Sequence, residues 1–163
     1  MGPRVSDVYR LEALLALRGR EEDDAKAALS RAEHAVAEAE AALADAEQGV
    51  SRGERALEQA RAQGLSGVGR SGREVLTEAA FVERRRSELA AARAEVGRKR
   101  EALDVARRAR DTALGELAER KRALETVERH KAQWNEAQRK EADRREEIVL
   151  DELALRRGGG PRS

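Results

Sequence analysis

A chain of 163 residues has room for one ordinary domain, yet 40% of this one is Asp, Glu, Lys or Arg and only 2% is aromatic. Its 40% hydrophobic fraction rests on 32 alanines and includes a single isoleucine, which excludes a compact mixed core built from branched and aromatic side chains. Disorder is the other outcome that such charge suggests, but Ala, Leu, Glu and Arg are the best helix formers and they dominate here. The 33 basic and 32 acidic residues give a net charge of +1, which argues against a dedicated nucleic-acid binder.

The first residues, Met1-Gly2-Pro3-Arg4-Val5-Ser6, formally fit a myristoylation pattern, but the rigid Pro3 lies where a modifying enzyme needs an adaptable chain. The start lacks the h-region of a secretory signal, and no apolar run approaches a membrane span. With no cysteine there is no disulfide framework and no thiolate metal site, which suits a reducing cytoplasm. Both prolines, Pro3 and Pro161, stand at the extreme ends, so nothing forbids helix between them. A first helix is expected to begin near Ser6 or Asp7, either of which can cap it, and to occupy residues up to 62.

Along that helix Val8, Leu15, Leu29, Val36, Leu43, Val50 and Leu57 recur every seven residues, broken only at Glu22. Three positions on runs a smaller row: Leu11, Arg18, Ala25, Ala32, Ala39, Ala46, Gly53 and Ala60. This is a heptad repeat with large residues on one edge and small ones on the other. The stretch Gly64-Leu65-Ser66-Gly67-Val68-Gly69-Arg70-Ser71-Gly72 carries four glycines and predicts a break, a hairpin loop over residues 63–71. Ser71-Gly72-Arg73-Glu74 has the spacing of a capping box. A second helix is therefore expected over 72–157, with the same period in Val75, Val82, Leu89, Val96, Leu103, Leu117 and Leu124, interrupted by Arg110. Residues 158–163 would form a mobile tail.

Symmetric closure about the glycine loop would pair residue i with roughly residue 135 − i in an antiparallel hairpin. That register sets Val75, Val82, Leu89, Val96 and Leu103 against Ala60, Gly53, Ala46, Ala39 and Ala32, and Val127 against Val8. Large would face small, so the helices could approach closely. From Glu21 to Ala60 there are 4 basic and 11 acidic residues; from Arg73 to His130 there are 15 basic and 12 acidic. Opposite signs favour pairing of the two arms over self-association of either. The expected fold is all-α, a long antiparallel two-helix coiled-coil hairpin with an overhanging C-terminal helix, and a monomer in isolation. The first arm would measure about 85 Å and the second about 130 Å. The overhang, from about Lys131 onward, carries Trp134, Ile148, Val149, Leu150, Leu153 and Leu155 without partners on the first arm, and an unpaired, partly apolar helix asks for another protein.

No residue set points to catalysis, a metal or a cofactor. Gly67-Val68-Gly69-Arg70-Ser71-Gly72 is a literal G-x-G-x-x-G, but no strand precedes it and no βαβ pattern surrounds it. His34 and His130 are too far apart for one site, and each reads as a surface helix residue. Exposed carboxylates on two helices have no cavity to separate their pKa values. The Arg runs (Arg84 to Arg86, Arg98 to Arg100, Arg107 to Arg110, Arg120 to Arg122) are interleaved with Glu and Asp at helical spacing and read as solvated faces and cross-arm ion pairs. For Trp134, partner contact and packing against neighbours are equally open.

Two stretches carry a resemblance to a known family: Leu11-Glu12-Ala13-Leu14-Leu15-Ala16-Leu17-Arg18-Gly19-Arg20-Glu21-Glu22, and Arg144-Arg145-Glu146-Glu147-Ile148-Val149-Leu150-Asp151-Glu152-Leu153-Ala154. With the coiled-coil pattern they resemble the stalk proteins of bacterial type III secretion systems, the YscO/FliJ family. The resemblance implies a non-enzymatic central stalk, cytoplasmic and at the cytoplasmic face of the inner membrane, which joins the hexameric export ATPase to the cytoplasmic domain of the membrane export gate. It further implies contact with secretion chaperones, no bound nucleic acid and no membrane insertion. On this analogy Val8, Leu11, Leu14, Leu15, Arg18, Trp134, Arg139, Arg144, Arg145, Asp151 and Glu152 would face the ATPase, and Leu76, Phe81 and Val82 the gate. The family often has several aromatics at the second place, where this chain has only Phe81. A generic coiled-coil adaptor and an RNA-binding helical arm are the alternatives.

Overall fold

The computed structural model describes residues 9–65 and 69–158. Val8, the Ser6 or Asp7 cap, the centre of the glycine loop and the residues after Gly158 lie outside them. Two helices account for nearly all of the described chain: α1, Glu12–Leu65, and α2, Gly72–Gly158. Among the described residues there is no strand, and the fold is an all-α helical hairpin. The chain divides into two compact units, one combining Met1–Lys26 with Glu116–Ser163 (unit 1) and one comprising Ala27–Gly115 (unit 2).

Unit 2 contains the turn. The capping box forms as its spacing predicts: the Ser71 amide donates to Glu74 Oε2 at 2.9 Å, and the Glu74 amide donates to Ser71 Oγ at 3.4 Å. Gly69 takes a φ of +90°, a conformation that glycine adopts without a Cβ clash. Arg70 then closes the hairpin from inside, donating to the Gln63 carbonyl at 3.2 Å and pairing with Glu78. Gln63 lies in the last turn of α1, where carbonyls lack intrahelical partners.

The heptad rows supply the core of unit 2. Val36, Leu57, Ala60, Leu89, Val96, Leu103 and Ala113 are buried there. At Gly53 the backbones come closest. A Cβ on Gly53 would stand 3.8 Å from the Cα of Leu89 and 3.3 Å from its Cδ1. Glu40, Glu47 and Glu54 pair across the seam with Arg107, Arg100 and Arg93 at 3.1, 3.2 and 3.0 Å.

These contacts correct the expected register. Leu89 faces Gly53 rather than Ala46, and Glu78 lies beside Gly64, so residue i stands across from roughly residue 142 − i, one heptad from symmetric closure. Val75, expected against Ala60, is 54% exposed. A shift of seven leaves every residue on its own face of the helix, so the hydrophobic rows cannot distinguish the two registers. The first turn of α2 therefore carries on past the end of α1 as part of the turn.

Unit 1 keeps the same offset with different contacts. Lys131 pairs with Glu12 at 2.7 Å, and Arg120 with Glu21 at 3.5 Å. Glu21 also accepts from Arg18 at 2.8 Å; this hydrogen bond, and the charges of Arg18 and Arg120 beside it, hold its carboxyl below the usual carboxylate range. Glu22, the break in the α1 row, is half-buried and ion-paired with Lys26 at 3.1 Å. One ionic layer thus occupies the place where both heptad rows turn charged. Just before α1, Tyr9 is 6% exposed. Its ring packs on Trp134 and His130, with centroids 5.6 and 5.7 Å away, and Lys131 Nζ stands 5.9 Å from its centroid. The Tyr9 hydroxyl donates to the Val127 carbonyl at 3.4 Å and lies 2.8 Å from His130 Nδ1. Trp134 is therefore no part of an unpartnered overhang; it belongs to an aromatic clasp, as does His130.

Two expectations follow, both read from urea unfolding followed by circular dichroism. Gly53→Leu lowers stability by about 1–3 kcal/mol because the added side chain must displace Leu89, whereas Gly97→Ala, where a Cβ meets nothing within 4 Å, raises it by up to about 1 kcal/mol through helix propensity alone. Tyr9→Ala costs about 3 kcal/mol, and Tyr9→Phe about 1 kcal/mol because the ring contacts survive.

Candidate partner-binding surfaces

Some exposed large apolar side chains stand singly, as Leu17, Val105 and Leu114 do; others fall in two places that correspond to the residues named from sequence. In unit 1, every residue of α2 from 135 to 158 is exposed. Among them are Ile148, Val149, Leu150, Leu153 and Leu155. They do not form a seam. Three consecutive apolar residues at 148–150 point to successive directions around a helix, and Arg145 and Glu146 join Val149 and Leu150 around a shallow groove. Ion pairs within the helix lace the polar positions: Lys140 with Glu136 at 2.7 Å and Arg145 with Glu141 at 3.1 Å. The Lys140 ammonium keeps the Glu136 carboxyl low, and the carboxylate in turn raises the lysine.

The residues assigned to the ATPase by resemblance divide into two groups. Leu14, Leu15 and Arg18 lie on the first turns of α1 and Leu11 just before it; Leu11 is exposed and the other three are half-buried. Trp134 joins this group through Tyr9. Arg139, Arg144, Arg145, Asp151 and Glu152 lie on the exposed stretch of α2. No described residue of α1 extends beside them, and Val8 is outside the described residues. Tyr9 is not among the site residues expected from the sequence. Its spacing from Trp134 was the available signal, since the two fit one register with Glu12 and Lys131.

The second surface lies in unit 2 at the start of α2. Leu76 is 73% exposed and Phe81 38%. Val82 is half-buried, a seam residue as much as a surface one. The Arg85 guanidinium stands 5.0 Å from the Phe81 ring centroid and pairs with Glu88 at 2.7 Å, a cation–π arrangement that holds the ring in place. Leu76 and Phe81 are thus two separate exposed apolar side chains near the start of α2, the second flanked by arginine.

Nothing in either place is arranged for chemistry. Among the described residues no three His, Cys, Asp or Glu side chains gather as metal ligands, and no helix is long and apolar enough to cross a membrane. What both surfaces offer is exposed apolar area beside charge, the composition of a protein contact.

No curated protein matches the chain. A solved structure does: CT670 of Chlamydia trachomatis, proposed as a YscO homolog, aligns with a TM-score of 0.74 at 22% identity, covering 90% of this chain and 92% of its own. That similarity extends the helical-hairpin fold to both proteins. The sequence profile of YscO-like proteins matches residues 6–155, which takes in both helices, the turn and the exposed apolar stretch of α2. The chain belongs to the YscO-like family and is a stalk-type protein of type III secretion.

Proposed function

We propose that this protein links the hexameric export ATPase of a type III secretion apparatus to the cytoplasmic domain of the membrane export gate, promoting ATPase assembly and activity and protein export. The observation that carries this reading is the stretch of α2 from 135 to 158, exposed throughout with five large apolar side chains, in a chain whose family serves secretion. A helix of that composition is stable in water only because good helix formers and i,i+4 ion pairs support it. Its apolar residues gain by burial against a second protein, at about 1.5–3 kcal/mol for each large side chain fully covered.

The two surfaces divide the work. In unit 1, Ile148, Val149, Leu150 and Leu153, with Arg144, Arg145, Asp151 and Glu152 around them, engage the ATPase, while Leu11, Leu14, Leu15 and Arg18 flank the Tyr9 clasp. In unit 2, Leu76 and Phe81 engage the gate, with Val82 beneath them. The protein itself hydrolyses nothing; it acts as a structural partner at the cytoplasmic face of the inner membrane, where secretion chaperones are further candidates for contact.

The test titrates the cognate export ATPase with the intact chain and with a chain ended after Trp134, which keeps the clasp. The intact chain is expected to stimulate hydrolysis and the shortened chain to lose that effect. Val149→Glu with Leu150→Glu should weaken binding by about tenfold or more, since at least one buried apolar side chain is lost. Leu76→Glu should leave stimulation unchanged and reduce binding to the gate's cytoplasmic domain. Equal stimulation by the intact and shortened chains would remove the ATPase from this reading.

A further inference from the structure

Along α1, Glu33, Glu40, Glu47 and Glu54 stand seven residues apart, and along α2 so do Arg86, Arg93, Arg100 and Arg107. Three rungs of this ladder are formed: Glu54–Arg93, Glu47–Arg100 and Glu40–Arg107. The ends are poorly matched. Glu33 has no ion-pair partner among the described residues, and the same spacing sets Arg86 across from Arg61, a like charge. Sliding α2 by one heptad toward the register of symmetric closure would form four rungs, Glu54–Arg86, Glu47–Arg93, Glu40–Arg100 and Glu33–Arg107, and would leave no like-charge rung.

One row of the apolar seam gains as well, while the other would set the buried Leu57 against Glu78. The observed register sets Val82, Leu89, Val96 and Leu103 against Ala60, Gly53, Ala46 and Ala39, and spends the next layer on Arg110 against Ala32. After the slide all five small residues face an apolar partner: Val75, Val82, Leu89, Val96 and Leu103 meet Ala60, Gly53, Ala46, Ala39 and Ala32. Val75, 54% exposed as it stands, gains a neighbour. The opposite slide does the reverse, forming two rungs and setting Arg93 against Arg61. Exposed ion pairs contribute little each, so the ladder acts here by ranking registers that the seam alone leaves equivalent.

We propose that residues 27–115 hold two registers of one helix pair, a heptad apart, and that the second is reached by sliding α2 past α1 by about 10 Å. Helix register shifts of this kind run on the microsecond-to-millisecond scale. Contacts that do not recur at seven-residue spacing oppose it: those of Tyr9, Glu12 and Glu21 with α2 in unit 1 and that of Arg70 with the Gln63 carbonyl at the turn. The second register is populated to the extent that those contacts open. The proposal does not depend on the identity of any partner.

The chain has no cysteine, so paired cysteines report the register directly in the full-length protein. In the observed register Gly53→Cys with Leu89→Cys is well placed, the Cβ positions being 3.8 Å apart, a spacing that suits a disulfide. Ala46→Cys with Leu89→Cys, and independently Gly53→Cys with Val82→Cys, can close only after the slide. Ala60→Cys with Leu89→Cys is the control: it needs an equal displacement the other way, so fraying would close it as readily. Under mild thiol oxidation, with helicity checked by circular dichroism, the observed pair should close fastest, both slid pairs should close more slowly, and the control should lag several-fold behind them. Glu33→Gln should slow the slid pairs and leave the observed pair unchanged. Slid pairs that close no faster than the control, or not at all, would overturn the proposal.

Discussion

Everything in this structure depends on how two periodic helices choose where to stop sliding. A heptad seam of Leu and Val against Ala and Gly buries apolar area wherever the rows meet, and it does so almost equally well at every seventh residue. Burial therefore supplies the adhesion but not the alignment. Alignment comes from residues that break the repeat: the ionic layer around Glu21, Glu22 and Arg120, the Tyr9 clasp on Val127, His130 and Trp134, and the Arg70 bridge between Gln63 and Glu78. Each sits where the heptad rows falter or end. Charged residues at seam positions weaken a coiled coil locally and in exchange specify its register.

This also explains what the sequence could and could not reveal. Helix, period, break and cap were legible because each has a local cause: apolar residues every seven positions, glycines clustered between 64 and 72, Ser71 three residues before Glu74. The expected pairing of Leu89 with Ala46 missed by one heptad because the pattern that justified it is unchanged by that shift. The same slip placed Trp134 in an unpartnered overhang, when its partner is Tyr9. At the candidate surfaces, the apolar residues at 148–155 were readable as exposed because no α1 residue remained to cover them in either register. The exposure of Val75 was not, since it depends on which register holds.

The small residues of α1 have a consequence for the surfaces as well. Alanine and glycine on one side of the seam let α2 approach until Leu89 lies within 3.8 Å of where a Gly53 Cβ would be, so the large side chains of α2 are largely consumed by the seam. Among those that remain outside it, Leu76 at one place and the apolar residues from Ile148 to Leu155 at another are not remnants of an incomplete core. They occur where α2 has run past α1, at the turn by a few residues and at the C-terminal stretch by many. The unequal lengths of the helices thus decide which apolar residues are left for partners, and the family to which the chain belongs accounts for there being partners at all.

A helix pair fastened by a few non-repeating contacts and zipped elsewhere by repeating ones has an unusual mechanical property. Opening a single contact in the repeating part changes nothing, because the neighbouring rungs keep the alignment. Opening the fastened part releases the whole alignment at once, since no repeating contact prefers one heptad over the next by much. Replacing the seam with larger apolar residues on both sides would strengthen adhesion and lose this property, because mismatched large side chains would make every other register clash. The alanine-rich seam is the composition that holds two helices together firmly while leaving the choice of register to the few residues that break the repeat.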